Sequence, residues 1–151
     1  MPEEHRTAAD SGWEALATGA EEVWLPTAVE MGKLDQEAVA SGATTERTLI
    51  ESAGRGIAGR IQLHWPEGRV VAIVGRGHNG ADALVALRTL HAWGRDVRAV
   101  LSTPTPPDPD VLIGWDIPLE APESVADACE GAAVILDGIL GTGLTGAPRE
   151  P

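Results

Sequence analysis

Apolar positions along this chain switch between two spacings, and the switches outline an alternating pattern of strands and helices. Val70–Val74 is an unbroken apolar run, and Val97–Leu101 and Val134–Leu136 are two more. Runs this short and this rich in valine and isoleucine predict buried strands. Elsewhere the spacing is helical. Met31, Leu34 and Ala38 mark one face of a helix that Thr27-Ala-Val-Glu30 opens as a capping box and that ends by Gly42. Leu49, Ala53, Ile57 and Ile61 recur at four-residue spacing in a second helix, where Gly54 and Gly56 predict close packing against a neighbour. A third helix runs from Ala81 to Trp93, with Leu84, Leu87 and Leu90 inward and Gly94 as its stop.

The remaining segments are punctuation. Thr103-Pro-Thr-Pro-Pro-Asp-Pro109 reads as a surface loop, and Ser124–Cys129 as a short amphipathic helix in which Cys129 is a small buried residue. Residues 1–22 are polar and acidic and predict a mobile tail, with the fold starting near Val23. Strands alternating with helices imply an α/β fold, a Rossmann-like three-layer αβα sandwich around a parallel sheet. Three strands make about half of a doubly wound domain, and no helix follows the last strand to cover it. The expectation is an incomplete domain, residues 23–151 being its N-terminal part.

Candidate chemistry lies in two glycine-rich turns. The first, Gly75-Arg-Gly-His-Asn-Gly80, follows a strand, precedes a helix and fits the G-x-G-x-x-G dinucleotide pattern. Its usual companion, an acid at the end of the next strand, is missing: that strand ends in Ser102 and Thr103, and Asp96 stands at its start. Asp82, read as lying in the first helical turn, suits the helix dipole but would repel a pyrophosphate on the same amides. The loop can therefore hold a cation or a polar ring. Read one by one, Asn79-Gly80 is an ordinary turn dipeptide and Asp82 an ordinary first-turn acid. His78 has no second His or Cys at ligand spacing. The second turn begins where an apolar strand ends at Asp137 and runs on through Gly141-Thr-Gly-Leu-Thr-Gly-Ala147. Parallel strands end along one edge, so Asp137 and this turn are expected to face the Gly75–Asp82 loop across a crevice.

Composition narrows the partners. The formal net charge is −12, Lys33 is the only lysine, and the five aromatic residues are all tryptophan. That balance disfavours nucleic acid and anionic membrane as partners, so neither is expected, whereas a dinucleotide can still be held by backbone amides. Cys129 stands alone, so no intramolecular disulfide forms and a cytoplasmic location is the default expectation. No apolar run reaches the length of a membrane span, and the N-terminus is acidic rather than basic.

Three motifs in order, Leu49-Ile-Glu-Ser-Ala-Gly54, the Gly75–Asp82 loop, and Asp137 leading into Gly141-Thr-Gly143, resemble the N-terminal YjeF-type domain of the NAD(P)H-hydrate epimerases. The resemblance runs from about Leu25 to Ala147. It implies a Rossmann-like fold that interconverts the R and S hydrates of NADH and NADPH (NADHX and NADPHX), so that a partner or fused dehydratase can regenerate the cofactor. It also implies that His78, Asn79, Gly80, Ala81 and Asp82 form the substrate segment. Gly141, Thr142, Gly143, Leu144, Thr145, Gly146 and Ala147 would form the phosphate-side loop, and Asn79 and Asp137 would hold potassium. Hard oxygen donors suit such an alkali cation. A homodimer is compatible with the resemblance.

The chain departs from the family pattern in two places. His78 replaces the first of two asparagines, and Ala81-Asp82-Ala83 replaces Gly-Asp-Gly. A later Asp-x-Pro-Ser-Gly segment has no counterpart, and Asp116-Ile-Pro118 precedes the Asp137 turn and lacks the Ser-Gly. Epimerisation needs an acid and a base, and Asp82 and Asp137 are the candidate carboxylates. Two other readings stand beside the epimerase: a non-catalytic nucleotide-binding or protein-interaction module, and an NAD-dependent oxidoreductase, which the missing second-strand acid disfavours.

Overall fold

The computed structural model describes residues 25–142. The chain divides into two compact units, residues 1–37 and 38–151. The expected tail at 1–22 and the segment from Gly143 to Ala147 lie outside the described residues.

In the first unit, helix α1 (Ala28–Ala40, which runs on into the second) opens on the predicted capping box. The Thr27 backbone N–H and hydroxyl both donate to Glu30 Oε2 at 2.8 Å, and the Glu30 N–H donates back to Thr27 Oγ1. The face expected to be its core side is not buried: Met31 and Leu34 are exposed, and α1 has no buried residue.

The second unit begins with the end of α1, closed by a Schellman pattern. Gly42, at φ 76°, donates to Val39 O, and Ala43 donates to Ala38 O. Helix α2 (Glu46–His64) is capped by Thr45, whose hydroxyl accepts from the Thr48 N–H. Then follow β1 (Val70–Val74), α3 (His78–Ala92), β2 (Val97–Leu101), β3 (Leu119–Glu120), α4 (Val125–Cys129) and β4 (Val134–Gly138). The four strands are parallel in the order β3-β2-β1-β4. Val70 pairs with Val97 on one side and with Val134 on the other.

Alternation along the strands separates the two faces. Val70, Ala72, Val74, Val97, Ala99 and Leu101 join α2 and α3 in the main core. On the other face Val71 and Val100 pack with Ala128 of α4. The three-layer αβα arrangement is therefore present, with one thick layer and one thin one. At the β4 edge Ile135 remains 55% exposed.

Several expectations shift in detail. The short β3 was not anticipated, and β4 runs on through Asp137 to Gly138. The buried residues of α2 are Ile50, Gly54, Ala58 and Ile61, so the face predicted from Leu49 and Ala53 is turned by one position. Gly54 sets that rotation: a Cβ there would lie 2.4 Å from Val85 Cβ, so the helices touch at this glycine. Gly56, expected to do the same, faces open space. Helix α3 is buried almost all round, including Leu84, Leu87 and Leu90, because the sheet lies on one side and α2 on the other. Cys129 is half-buried rather than enclosed, and the buried residue of that short helix is Ala128.

Candidate functional site

The strand order places a switch point beside β1. After β1 the chain steps outward to β2 and β3, then returns to lay β4 on β1's other side. Crevices at the carboxyl ends of such neighbouring strands are where open α/β sheets take their ligands. Both glycine-rich turns meet here.

Their approach is closer than any side chain would allow. The Gly75 N–H donates to Gly138 O at 3.0 Å, and a Cβ on Gly75 would lie 2.0 Å from Ile139 O. A Cβ on Gly80 would lie 2.1 Å from Gly75 O, and one on Gly138 2.8 Å from Ala83 Cβ. Gly75, Gly80 and Gly138 thus clamp the β1 exit, the α3 start and the β4 exit into one junction.

The predicted substrate segment sits on this junction, although not as a loop. Helix α3 starts at His78, with Gly77 as its N-cap, three residues before the expected Ala81. Gly77 has no side chain to cap with, so the usual start signal is absent. Asn79 and Gly80 are therefore helical rather than a turn, and Asp82 lies beyond the first turn, which carries no acid.

Each side chain has a definite setting. His78 is exposed and pairs with Glu46 at the start of α2. Half-buried Asn79 donates through its Nδ2 to Leu140 O at 2.9 Å, which leaves its amide oxygen to accept from a ligand or to face a cation. Gly80 and Ala81 are buried, Gly80 against the Gly75 backbone. Asp82 is half-buried, and that burial pushes its carboxyl above the usual aspartate range, against the lowering influence of the His78 charge.

Asp137, the penultimate residue of β4, is exposed, and its Oδ1 accepts from the Ile139 N–H at 2.9 Å. It closes a local turn with one carboxylate oxygen and keeps the other. Gly141 and Thr142 follow on the exposed exit, where a Cβ on Gly141 would meet Asn79 Cβ at 3.4 Å. Asn79 and the exit that Asp137 opens are thus brought together as the sequence predicts, whereas the rest of the phosphate-side loop lies among the residues not described.

The Leu49–Gly54 motif proves to be architecture. Ile50 enters the core, Gly54 admits α3, and Glu51 gathers three arginines, Arg47, Arg55 and Arg88. Burial raises the Glu51 carboxyl, but the hydrogen bond and charge of Arg88, with Arg47 and Arg55, outweigh it and hold the group below the usual glutamate range. Arg88 also donates to Val111 O at 2.8 Å, tying α2 and α3 to the turn that follows β2.

Sequence reasoning missed that turn. Asp108 caps a 3₁₀ turn (Pro109–Leu112) and takes an ion pair from Arg47 at 3.0 Å. With Arg76 and Asp110 it lines a cleft next to the α3 start. No spacing rule connects acids in a proline-rich loop to a glycine-rich turn elsewhere. The only local hint was the Asp-Pro pair at 108–109.

A parallel sheet with glycine-clamped turns at its switch point defines an α/β domain of Rossmann-like class. Comparison with known proteins assigns it further. The model of the YjeF-related protein N-terminus matches residues 46–151, and the chain belongs to that family. Among its relatives, the NAD(P)H-hydrate epimerase of Cenarchaeum symbiosum is 40% identical over 121 residues, covering 70% of this chain and 54% of that protein. The NAD(P)H-hydrate epimerase of Pirellula staleyi is 34% identical over 77% of this chain and 57% of its own length. The bifunctional NAD(P)H-hydrate repair enzyme Nnr of Pyrobaculum aerophilum is 33% identical over 83% of this chain and 27% of its own length. The chain thus spans about half of the single-activity relatives and about a quarter of the bifunctional one. The crystal structure of the yeast protein YNL200c shares the fold, with a TM-score of 0.75 at 21% identity, over 85% of this chain and 61% of that one.

Proposed function

We propose that this domain serves as an NAD(P)H-hydrate epimerase, interconverting the R and S hydrates of NADH and NADPH. The observation that carries the reading is the junction itself: Asn79 bonded to the exit that Asp137 opens, in a chain whose relatives bear that activity in their names. In this reading His78 to Asp82 and Gly141 to Ala147 border the substrate. Asp82, whose burial favours its protonated form, gives a proton to the hydroxyl leaving the carbon beside the ring nitrogen. The nitrogen lone pair forms the iminium as water departs. Water returns to the opposite face and gives its proton back to Asp82.

The donor set fits potassium. Asn79 presents an amide oxygen because its nitrogen is occupied, and Asp137 keeps one carboxylate oxygen beyond its local turn. Hard oxygens of this kind suit an alkali cation. When bound, the ion would offset carboxylate charge and fix the two turns against each other. We further assign the protein to the cytoplasm, with a hydrate dehydratase, separate or fused as in the bifunctional relatives, as its functional partner, and with self-association into a homodimer. Among the described residues no helix is long and apolar enough to cross a membrane.

The test is interconversion of purified R and S NADH hydrate by this chain, with potassium and with sodium. Asp137→Ala is expected to abolish the potassium dependence, and Asp82→Asn to lower kcat by about a hundredfold. Absence of interconversion by the unmodified chain overturns the reading and favours a binding module, which the family fold also accommodates.

A further inference from the structure

On the β2 side of the Gly75–His78 turn lies a cleft of about 460 Å³ that shares His78 and Ala81 with the substrate segment and is bounded by the first turns of α2 and α3 and by the 107–110 turn. That volume is in the range of small-molecule sites. Ile50, Ala81 and Pro107 supply an apolar lining. Asp108 is committed on both oxygens, accepting from the Asp110 N–H at 3.1 Å and pairing with Arg47. Arg76 and Asp110 also line the cleft, and among the described residues neither side chain has a partner.

Position gives these two groups a meaning. In a dinucleotide fold the ribose of the adenosine half is met by an acid delivered just beyond the second strand. β2 itself ends without one, at Ser102 and Thr103. The chain then loops through its prolines and brings Asp110 back beside the Gly75–Gly77 turn. Arg88 and Arg47 hold that loop through Val111 O and Asp108, so the acid is delivered by a braced turn.

We propose that this cleft is the subsite for the adenosine 5′-phosphate half of the dinucleotide. Asp110 accepts from the ribose hydroxyls, the apolar lining takes the base, and Arg76 meets the 5′-phosphate. The nicotinamide half then extends across the α3 start to the Asn79 and Asp137 side. The assignment rests on the epimerase reading for the identity of the whole ligand, whereas adenylate binding is measurable without it.

The experiment is calorimetric titration of the chain with 5′-AMP and, separately, with nicotinamide mononucleotide. Asp110→Asn and Arg76→Gln alter exposed side chains, and an unchanged unfolding midpoint verifies the fold. Each is expected to weaken 5′-AMP about tenfold and to leave nicotinamide mononucleotide unaffected. No 5′-AMP binding at millimolar concentration, or binding indifferent to both substitutions, overturns the subsite even if the chain interconverts hydrates. Binding that is sensitive to both substitutions, in a chain that fails to interconvert hydrates, supports the subsite and removes the epimerase reading alone.

Discussion

The Asn79 side chain donates to the Leu140 carbonyl across 61 residues of sequence, joining the first turn of α3 to the exit of β4 at 2.9 Å. This bond fixes both which way the asparagine amide faces and where the β4 exit runs. Asn79→Asp turns the donor into a second acceptor against the same carbonyl. Urea unfolding is expected to show a loss of about 1 to 3 kcal/mol, more than for Asn79→Ala. Equal losses in the two variants would show that the bond has no directional role.

Three glycines of α2 make an internal comparison. Gly54→Ala places a Cβ 2.4 Å from Val85 Cβ and 2.6 Å from Asp82 O, and is expected to cost about 1 to 3 kcal/mol as α3 is pushed away. Gly56 and Gly59 face open space. Their replacement by alanine should stabilise by about 0.5 to 1 kcal/mol, since only the backbone entropy and propensity change. Denaturant midpoints for the three single variants check the opposite signs.

How far the sequence predicts this arrangement depends on how local each cause is. The long elements follow from spacing alone, as Leu84, Leu87 and Leu90 show. The start of α3 escapes because Gly77 offers no capping side chain, and β3 because two residues carry no period. The rotation of α2 follows from where Gly54 meets Val85, a contact between distant segments. That the turn after β1 and the exit of Asp137 share one sheet edge was readable because parallel strands end together, whereas the pairing of Asn79 with Asp137 came only from the family resemblance. The place of Asp110 was not readable, since it depends on a loop braced by Arg47 and Arg88.

Asp82 and Glu51 predict opposite pH behaviour. Burial raises the folded-state pKa of Asp82, so its contribution is fully present below the ordinary aspartate range and is lost as pH rises through the raised value. Asp82→Asn should therefore stabilise the domain at neutral pH, with the gain vanishing in acid. Glu51 is depressed, so its contribution is present above the ordinary glutamate range and is lost as pH falls through the lowered value. Glu51→Gln should destabilise at neutral pH and flatten the acid limb. Thermal unfolding from pH 3 to 8 distinguishes the two, and parallel profiles would contradict both assignments.

Arg95 is buried without a carboxylate partner among the described residues. Its guanidinium donates to the carbonyls of Trp65, Glu67 and Gly68 and to Gln62 Oε1, all within 3.1 Å. A positive charge here also suits the C-terminal end of α2. Arg95→Met leaves those carbonyls unpaired and is expected to cost about 3 kcal/mol. Arg95→Lys, with a single point of donation, should recover only part of that loss, and full recovery would show that charge alone suffices.

The pairing of β4 with β1 also orders events in time. Val70 pairs with Val97 across one intervening helix, but with Val134 across every later element of the sheet. Pairing across so long a separation is entropically slow and completes late in folding. The Asn79–Leu140 bond and the glycine contacts of the crevice depend on that last pairing. A chain stalled before it would hold most of its core and none of the β1–β4 junction, so the Asn79–Leu140 contact doubles as a reading of whether folding has finished.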